Sequence, residues 1–240
     1  MKQLSKSALF PWLTLLAGSV GLALRIGLLS CRDAGGLLPR NHITGILLLL
    51  LLAALMVALG LILRKAGSDA GYPQLFPPSP LTAILSMIGA TGMAIGSFTV
   101  SAAPALRMVL IVLGILWAAG GLLAAYCRLR KQKPHYLLYG IGVLFFAIRA
   151  ILCYRTFGSE PQLQLYLFEI LASVFLLLTA YYRAELTVWT GHCRLFAFFC
   201  QTALFCCCVC LTGQDRLFWL SAIVYLASDC CVLPAPKVDG

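Results

Sequence analysis

Charge is scarce in this 240-residue chain: only 11% of the residues are charged, and only eight of them are acidic. Soluble domains carry roughly 25% charged residues. Here 61% of the residues are hydrophobic, and the mean hydropathy is +0.94. This composition argues against a soluble protein. Because the net charge of +10 belongs to no soluble basic domain, no nucleic-acid partner is expected.

The sequence also lacks the motifs of several common chemistries. It has no H-E-x-x-H zinc motif, no G-x-S-x-G nucleophile elbow and no Walker motif for ATP. The three histidines, His42, His135 and His192, lie outside the hydrophobic middle of the chain's apolar runs, and Glu169 is the one acid clearly inside. A paired-carboxylate site is therefore not expected. We predict a protein that is not an enzyme, with no catalytic residue and no cofactor. A membrane-embedded enzyme without a recognisable motif is the alternative.

Long apolar runs dominate instead. A helix needs roughly 20 mostly apolar residues to cross the hydrocarbon core of a bilayer. Eight runs approach that length: 8–29, 43–63, 81–101, 105–126, 136–156, 163–183, 193–212 and 217–234. The sequence predicts one all-α domain, residues 1–240, that forms a polytopic transmembrane helix bundle of about eight spans in the lipid bilayer. Seven spans remain an alternative, because polar residues dilute the third run and Asp229 lies near the end of the eighth.

Orientation follows from the basic residues, which resist translocation. If the N-terminus is cytoplasmic, eleven lysines and arginines fall on that side and five on the other, while Arg25 and Arg149 lie inside spans. We expect both termini to be cytoplasmic in a multi-pass protein of the bacterial cytoplasmic membrane. The residues Leu28 to Cys31 also resemble a lipoprotein processing site, with Cys31 lipidated. An uncleaved first helix is favoured, because Arg25 interrupts the apolar region.

Small residues predict how the helices pack. Gly92 and Gly96 form a GxxxG pattern on the third span, which favours close helix approach in lipid. We expect a packing face within the chain, and a homo-oligomer face is the alternative. Most of the eleven cysteines lie within spans, where cysteine acts as a small apolar residue.

A weak metal-site hypothesis comes from residues at one membrane face. A short turn joins the last two spans, so the start of the seventh meets the end of the eighth. This arrangement brings His192 and Cys193 towards Cys230 and Cys231, and imidazole and thiolate are transition-metal ligands. Adjacent cysteines point about 100° apart on a helix, which opposes a shared ion.

An intramembrane charge pair is the strongest chemical signal. Arg149 and Glu169 lie at similar predicted depth on adjacent antiparallel spans, so we predict that they pair. Tyr166, Glu169 and Ser173 share one helix face. Arg25 and Arg107 approach the same outer half, which predicts an excess of positive charge there. The pair is either a substrate or ion site, for instance for a small anion, or a structural ion pair.

The second half of the chain resembles small polytopic membrane proteins of Gram-positive anaerobic bacteria. The residues that carry the resemblance are Tyr166, Phe168, Glu169, Ala172, Phe175, Ala180, Tyr181, Ala184 and Glu185. It has no diagnostic motif and implies no site residues. The sequence favours a transporter-like protein or a transport accessory. The competing class is a non-catalytic scaffold, assembly factor or sensor subunit that acts through a membrane protein partner.

Overall fold

The computed structural model describes residues 2–31, 43–64, 72–76, 78–100, 104–157, 166–189, 192–213 and 215–230. Within these ranges the chain is helical and contains no strand, which confirms the all-α class. The helices are α1 (Lys2–Ser30), α2 (Ile43–Arg64), α3 (Tyr72–Leu75), α4 (Pro80–Gly96), α5 (Pro104–Leu129), α6 (Tyr136–Phe157), α7 (Leu167–Val188), α8 (Cys193–Cys210) and α9 (Arg216–Cys230). A short 3-10 helix, Ser97–Thr99, follows α4.

Seven of the described helices are long and apolar enough to cross a membrane: α1, α2, α4, α5, α6, α7 and α8. Their outer faces expose large apolar side chains, such as Ile46, Leu50 and Val57 on α2. Such faces suit contact with lipid and indicate a membrane protein. The described part of α9 has 15 residues, fewer than the roughly 20 of a typical span.

Helix α8 lies at the centre of the bundle. Of its apolar span, 78% is buried, compared with 28% for α1 and for α2. It contacts α1, α2, α7 and α9. The cysteines of α8 that the sequence assigns to packing are all buried, and none of them forms a disulfide with a described residue: Cys200, Cys206, Cys207, Cys208 and Cys210.

The closest helix approach joins α4 to α9. The facing positions are Gly89 with Tyr225, Gly92 with Ser221, and Gly96 with Phe218. The residue numbers rise along one helix and fall along the other, so the two helices are antiparallel. A Cβ on Gly89 would lie 2.6 Å from the backbone nitrogen of Tyr225, and one on Gly96 would lie 2.9 Å from the Cα of Phe218. The predicted packing face, Gly92 and Gly96, therefore contacts another helix of the same chain.

We expect Gly89→Ala to lower the free energy of unfolding by about 1–3 kcal/mol, because overpacking forces the two backbones apart. Gly60→Ala on α2 is the matched control, since an added Cβ there meets nothing within 4 Å. Equilibrium unfolding in detergent would measure both variants. Equal stabilities would show that α4 and α9 do not pack as closely as described.

Two arginines that the charge pattern counts among the cytoplasmic basic residues lie inside helices. Arg128 lies two residues beyond the predicted fourth span and Arg183 at the end of the sixth, and the structure places them inside α5 and α7. Both are almost fully buried, with exposed fractions of 4% and 3%. Hydropathy ends a span at a charge, because it cannot detect a compensating partner that is distant in sequence.

The bundle has two ends, and each carries charged side chains. The distal end is where α1 ends, and there Arg25 on α1 contacts Thr212 in the turn after α8. The proximal end is the opposite one, where Arg128 near the end of α5 meets Asp229 near the end of α9. The basic-residue pattern predicts that the proximal end is cytoplasmic.

Candidate functional site

Four charged side chains from different parts of the chain meet at the distal end, and we call them the distal cluster. Arg25 comes from α1, Arg149 from α6, Glu169 from the first turn of α7, and Asp215 from the residue before α9. The first three are buried, and the Asp215 side chain is 19% exposed. Buried ionisable groups are expensive in a membrane, so the cluster is a candidate site.

Arg149 pairs directly with Asp215 and not with Glu169, so the predicted pairing is wrong. Its Nη2 donates a hydrogen bond of 2.7 Å to Asp215 Oδ2. The guanidinium lies 3.5 Å from the ring centre of Phe218 and 4.9 Å from that of Trp219. Arg149 Nε and Nη1 have no hydrogen-bond partner among the described residues, and the aromatic faces offset part of that cost through cation–π attraction.

Arg149 and Glu169 do not pair for a geometric reason. Arg149 lies eight residues before the end of α6, whereas Glu169 lies in the first turn of α7, so their depths do not match. The long arginine side chain reaches Asp215, the residue before α9. In the sequence, Asp215 lies in the turn between the last two predicted spans, among polar residues.

The turn between α8 and α9 covers Glu169. A Cβ on Gly213 in this turn would lie 2.7 Å from Glu169 Oε1. The nearby charges that attract the Glu169 carboxylate are those of Arg25 and, more weakly, Arg149, whereas Asp215 repels it. Arg25 Nε donates to Thr212 Oγ1 at 3.1 Å in the same turn. Glu169 is thus a second acid beside the Arg149–Asp215 pair, and it is more buried than Asp215.

The other residues predicted for this site contact a helix end or backbone oxygen atoms. Tyr166 precedes α7 and packs against the end of α1, and Ser173 donates 2.9 Å to a backbone oxygen of its own helix. Arg107 is exposed and donates 2.6 Å to the carbonyl of Phe98. Among the described residues, the distal cluster itself has two guanidiniums and two carboxylates, whereas the positive excess expected for the outer half, which includes Arg107, stays a prediction.

A second group of buried polar residues, the proximal cluster, lies at the opposite end. It consists of Tyr72, Arg128, Tyr139, Arg183, Tyr225 and Asp229, each less than 6% exposed. Arg183 Nη1 donates to Asp229 Oδ2 and, at 2.6 Å, to the hydroxyl of Tyr225. Arg128 Nη1 lies 3.8 Å from Asp229 Oδ1. Two guanidiniums therefore share one carboxylate.

Aromatic side chains surround this cluster. The Arg183 guanidinium lies 4.7 Å from the ring centre of Tyr139 and 5.1 Å from that of Phe76. The hydroxyls of Tyr72 and Tyr139 are 3.0 Å apart and hydrogen bonded. No sequence motif predicts this cluster. Its one sequence signal is Asp229, an acid within an apolar run that requires a neutralising cation from elsewhere in the chain.

The structure describes two of the four residues of the metal hypothesis, His192 and Cys193. His192 Nδ1 contacts Glu185, and its side chain is 57% exposed, whereas Cys193 is buried. The side chain of Cys230 and all of Cys231 lie outside the described part of the chain. Within that part, no group of three histidine, cysteine or acidic residues could hold a metal ion.

No protein-family model, curated protein or solved structure matches this chain. The site must therefore be interpreted from its own geometry.

Proposed function

We propose that this chain is a transporter-like membrane protein or a transport accessory, with an ion or substrate site in the distal cluster. Glu169 carries the proposal. It is a buried carboxylate beside two arginines, and the strong partner of Arg149 is Asp215 instead. Such an acid can exchange a proton or bind a small cation without breaking the Arg149–Asp215 pair.

The positions of the two clusters support this proposal. Helix α7 carries Glu169 at one end and Arg183 at the other, and α9 lies between Asp215 and Asp229. A movement of these two helices would therefore strain both clusters together. Alternating access needs such a connection between the two ends of a bundle, because one end must close as the other opens.

The same proposal includes eight spans with both termini cytoplasmic. It is supported by α9, which runs antiparallel to α4 and contacts the clusters at both ends of the bundle. Reporter fusions at Lys133 and Gly158 would test the orientation. We expect the Lys133 fusion to report from the cytoplasm and the Gly158 fusion from outside, and the reverse result would contradict the topology.

Ion flux in proteoliposomes would test the function. Vesicles loaded with a proton-, sodium- or chloride-sensitive dye would each receive an imposed gradient of the matching ion. We expect flux that depends on the protein and falls by about an order of magnitude or more in Glu169→Gln, because the buried carboxylate is the proposed binding group. Glu185→Gln on the same helix is the matched control, since Glu185 contacts His192 at the proximal end.

A scaffold, assembly factor or sensor subunit is the second candidate, and the packing between the clusters favours it. Neighbouring rings in the series Tyr225, Trp117, Phe146, Phe145 and Phe218 have centres 5.1–6.2 Å apart. These rings connect one cluster to the other through the core. If no imposed gradient gives flux above that of empty vesicles, the scaffold class is supported and the transport proposal fails.

A further inference from the structure

A cleft of about 280 Å³ opens at the proximal end, beside the last turn of α5. Its lining residues are Tyr72, Phe76, Pro78, Arg128, Lys131, Gln132 and Lys133. Three of these residues are cations and none is an acid. The cleft is distinct from the distal cluster, so its interpretation does not rest on the proposed transport function.

Arg128 brings buried positive charge to this cleft. Its side chain is almost fully buried, and its guanidinium lies 5.4 Å from the ring centre of Phe76. Asp229, the carboxylate of the proximal cluster, is closer to Arg183 than to Arg128. Arg128 and Arg183 thus share Asp229, and Arg128 is the one of the two that also lines the cleft. Its guanidinium would attract an anion in the cleft.

Lys131 lines the same cleft and has an unusual backbone conformation. Lys131 follows the end of α5 with φ of 58°, in the left-handed region that favours glycine. The turn is closed by hydrogen bonds from Lys131 N–H to Arg128 O, 3.1 Å, and from Gln132 N–H to Cys127 O, 2.9 Å. Glycine would be the favourable residue at this position. A lysine there lines the cleft at a conformational cost, which is a feature typical of binding sites.

We propose that this cleft binds a phosphate group. Arginine recognises phosphate with its planar fork and lysine with a point charge, and Gln132 adds an amide donor. The tyrosine, phenylalanine and proline supply an apolar wall. The cleft also adjoins the lipid-facing surface of α5, where Leu129 and Tyr126 are exposed. An anionic lipid headgroup and free phosphate are the two sources of this chemistry.

The test uses the full-length protein purified in detergent. Native mass spectrometry would measure binding of phosphatidylglycerol and, for comparison, zwitterionic phosphatidylcholine. Calorimetry would compare the binding of inorganic phosphate with the binding of chloride at equal ionic strength. The variant is Lys131→Gln with Lys133→Gln. The control is Arg130→Gln, because Arg130 belongs to the same basic loop but contacts Tyr126 and does not line the cleft.

We expect the double lysine variant to weaken phosphate-group binding by about 25-fold. Each lysine near an anionic headgroup contributes about fivefold to the binding constant. Arg130→Gln should change it by less than about twofold, since its charge lies outside the cleft. Binding of phosphatidylglycerol alone identifies a lipid headgroup, and binding of inorganic phosphate identifies a soluble ligand.

Two results would overturn the proposal. One is that neither phosphatidylglycerol nor inorganic phosphate binds above its comparison probe. The other is an equal loss in the lysine variant and in Arg130→Gln, which would indicate general surface charge. Both lysines are exposed, so unchanged thermal unfolding should accompany the lysine variant. None of these measurements depends on ion flux, so this proposal and the transport proposal can fail separately.

Discussion

Asp229→Asn is expected to lower the free energy of unfolding by about 3–5 kcal/mol, because it leaves buried cations without their carboxylate. Asp229 is 1% exposed and accepts a hydrogen bond from Arg183, with Arg128 Nη1 3.8 Å away. Removing the acid leaves two guanidiniums beside each other in the core. Arg183→Met should cost less than Asp229→Asn, since Arg128 still neutralises the acid.

Equilibrium unfolding in detergent would measure these two variants and their combination. The double variant should cost clearly less than the sum of the single losses, because the two groups interact directly. Arg155→Met is the matched control, since Arg155 is an exposed arginine in the last turn of α6. The proximal cluster is not a coupled ion pair if the double variant loses as much unfolding free energy as the two single variants together. The same conclusion follows if Arg155→Met loses as much as Arg183→Met.

Arg149→Met should also cost about 3–5 kcal/mol, because it removes a buried cation that neutralises the partly buried Asp215 and the buried Glu169. The loss also removes the stacking of Arg149 on Phe218 and Trp219. Two double-mutant cycles would identify the partner, one with Asp215→Asn and one with Glu169→Gln.

The hydrogen bond of 2.7 Å predicts that Arg149 couples more strongly to Asp215 than to Glu169. We expect a coupling energy of about 1–3 kcal/mol in the first cycle and under about 1 kcal/mol in the second. Both would be measured as unfolding free energies in the same detergent. A larger coupling to Glu169 would restore the pairing that the sequence predicts and contradict the described geometry.

The partner of Arg149 shows the limit of sequence analysis. Counting residues from the predicted end of a span places Glu169 too deep, because the start of α7 is not visible in the hydropathy pattern. Asp215 and Gly213 looked like turn residues. They lie beside Arg149 and Glu169 because the turn after α8 folds over the distal end. Arg183 and Asp229 are 46 residues apart, a separation at which no local pattern indicates a contact.

The sequence by itself determined the helical class and seven of the apolar helices, because a bilayer demands long apolar runs with satisfied backbones. It also identified Gly92 and Gly96 as packing residues, since close approach in lipid requires small side chains. Only the tertiary structure decided which charges meet. Ion pairing depends on distances between helices, and these follow from how the helix faces pack and where the turns place their ends.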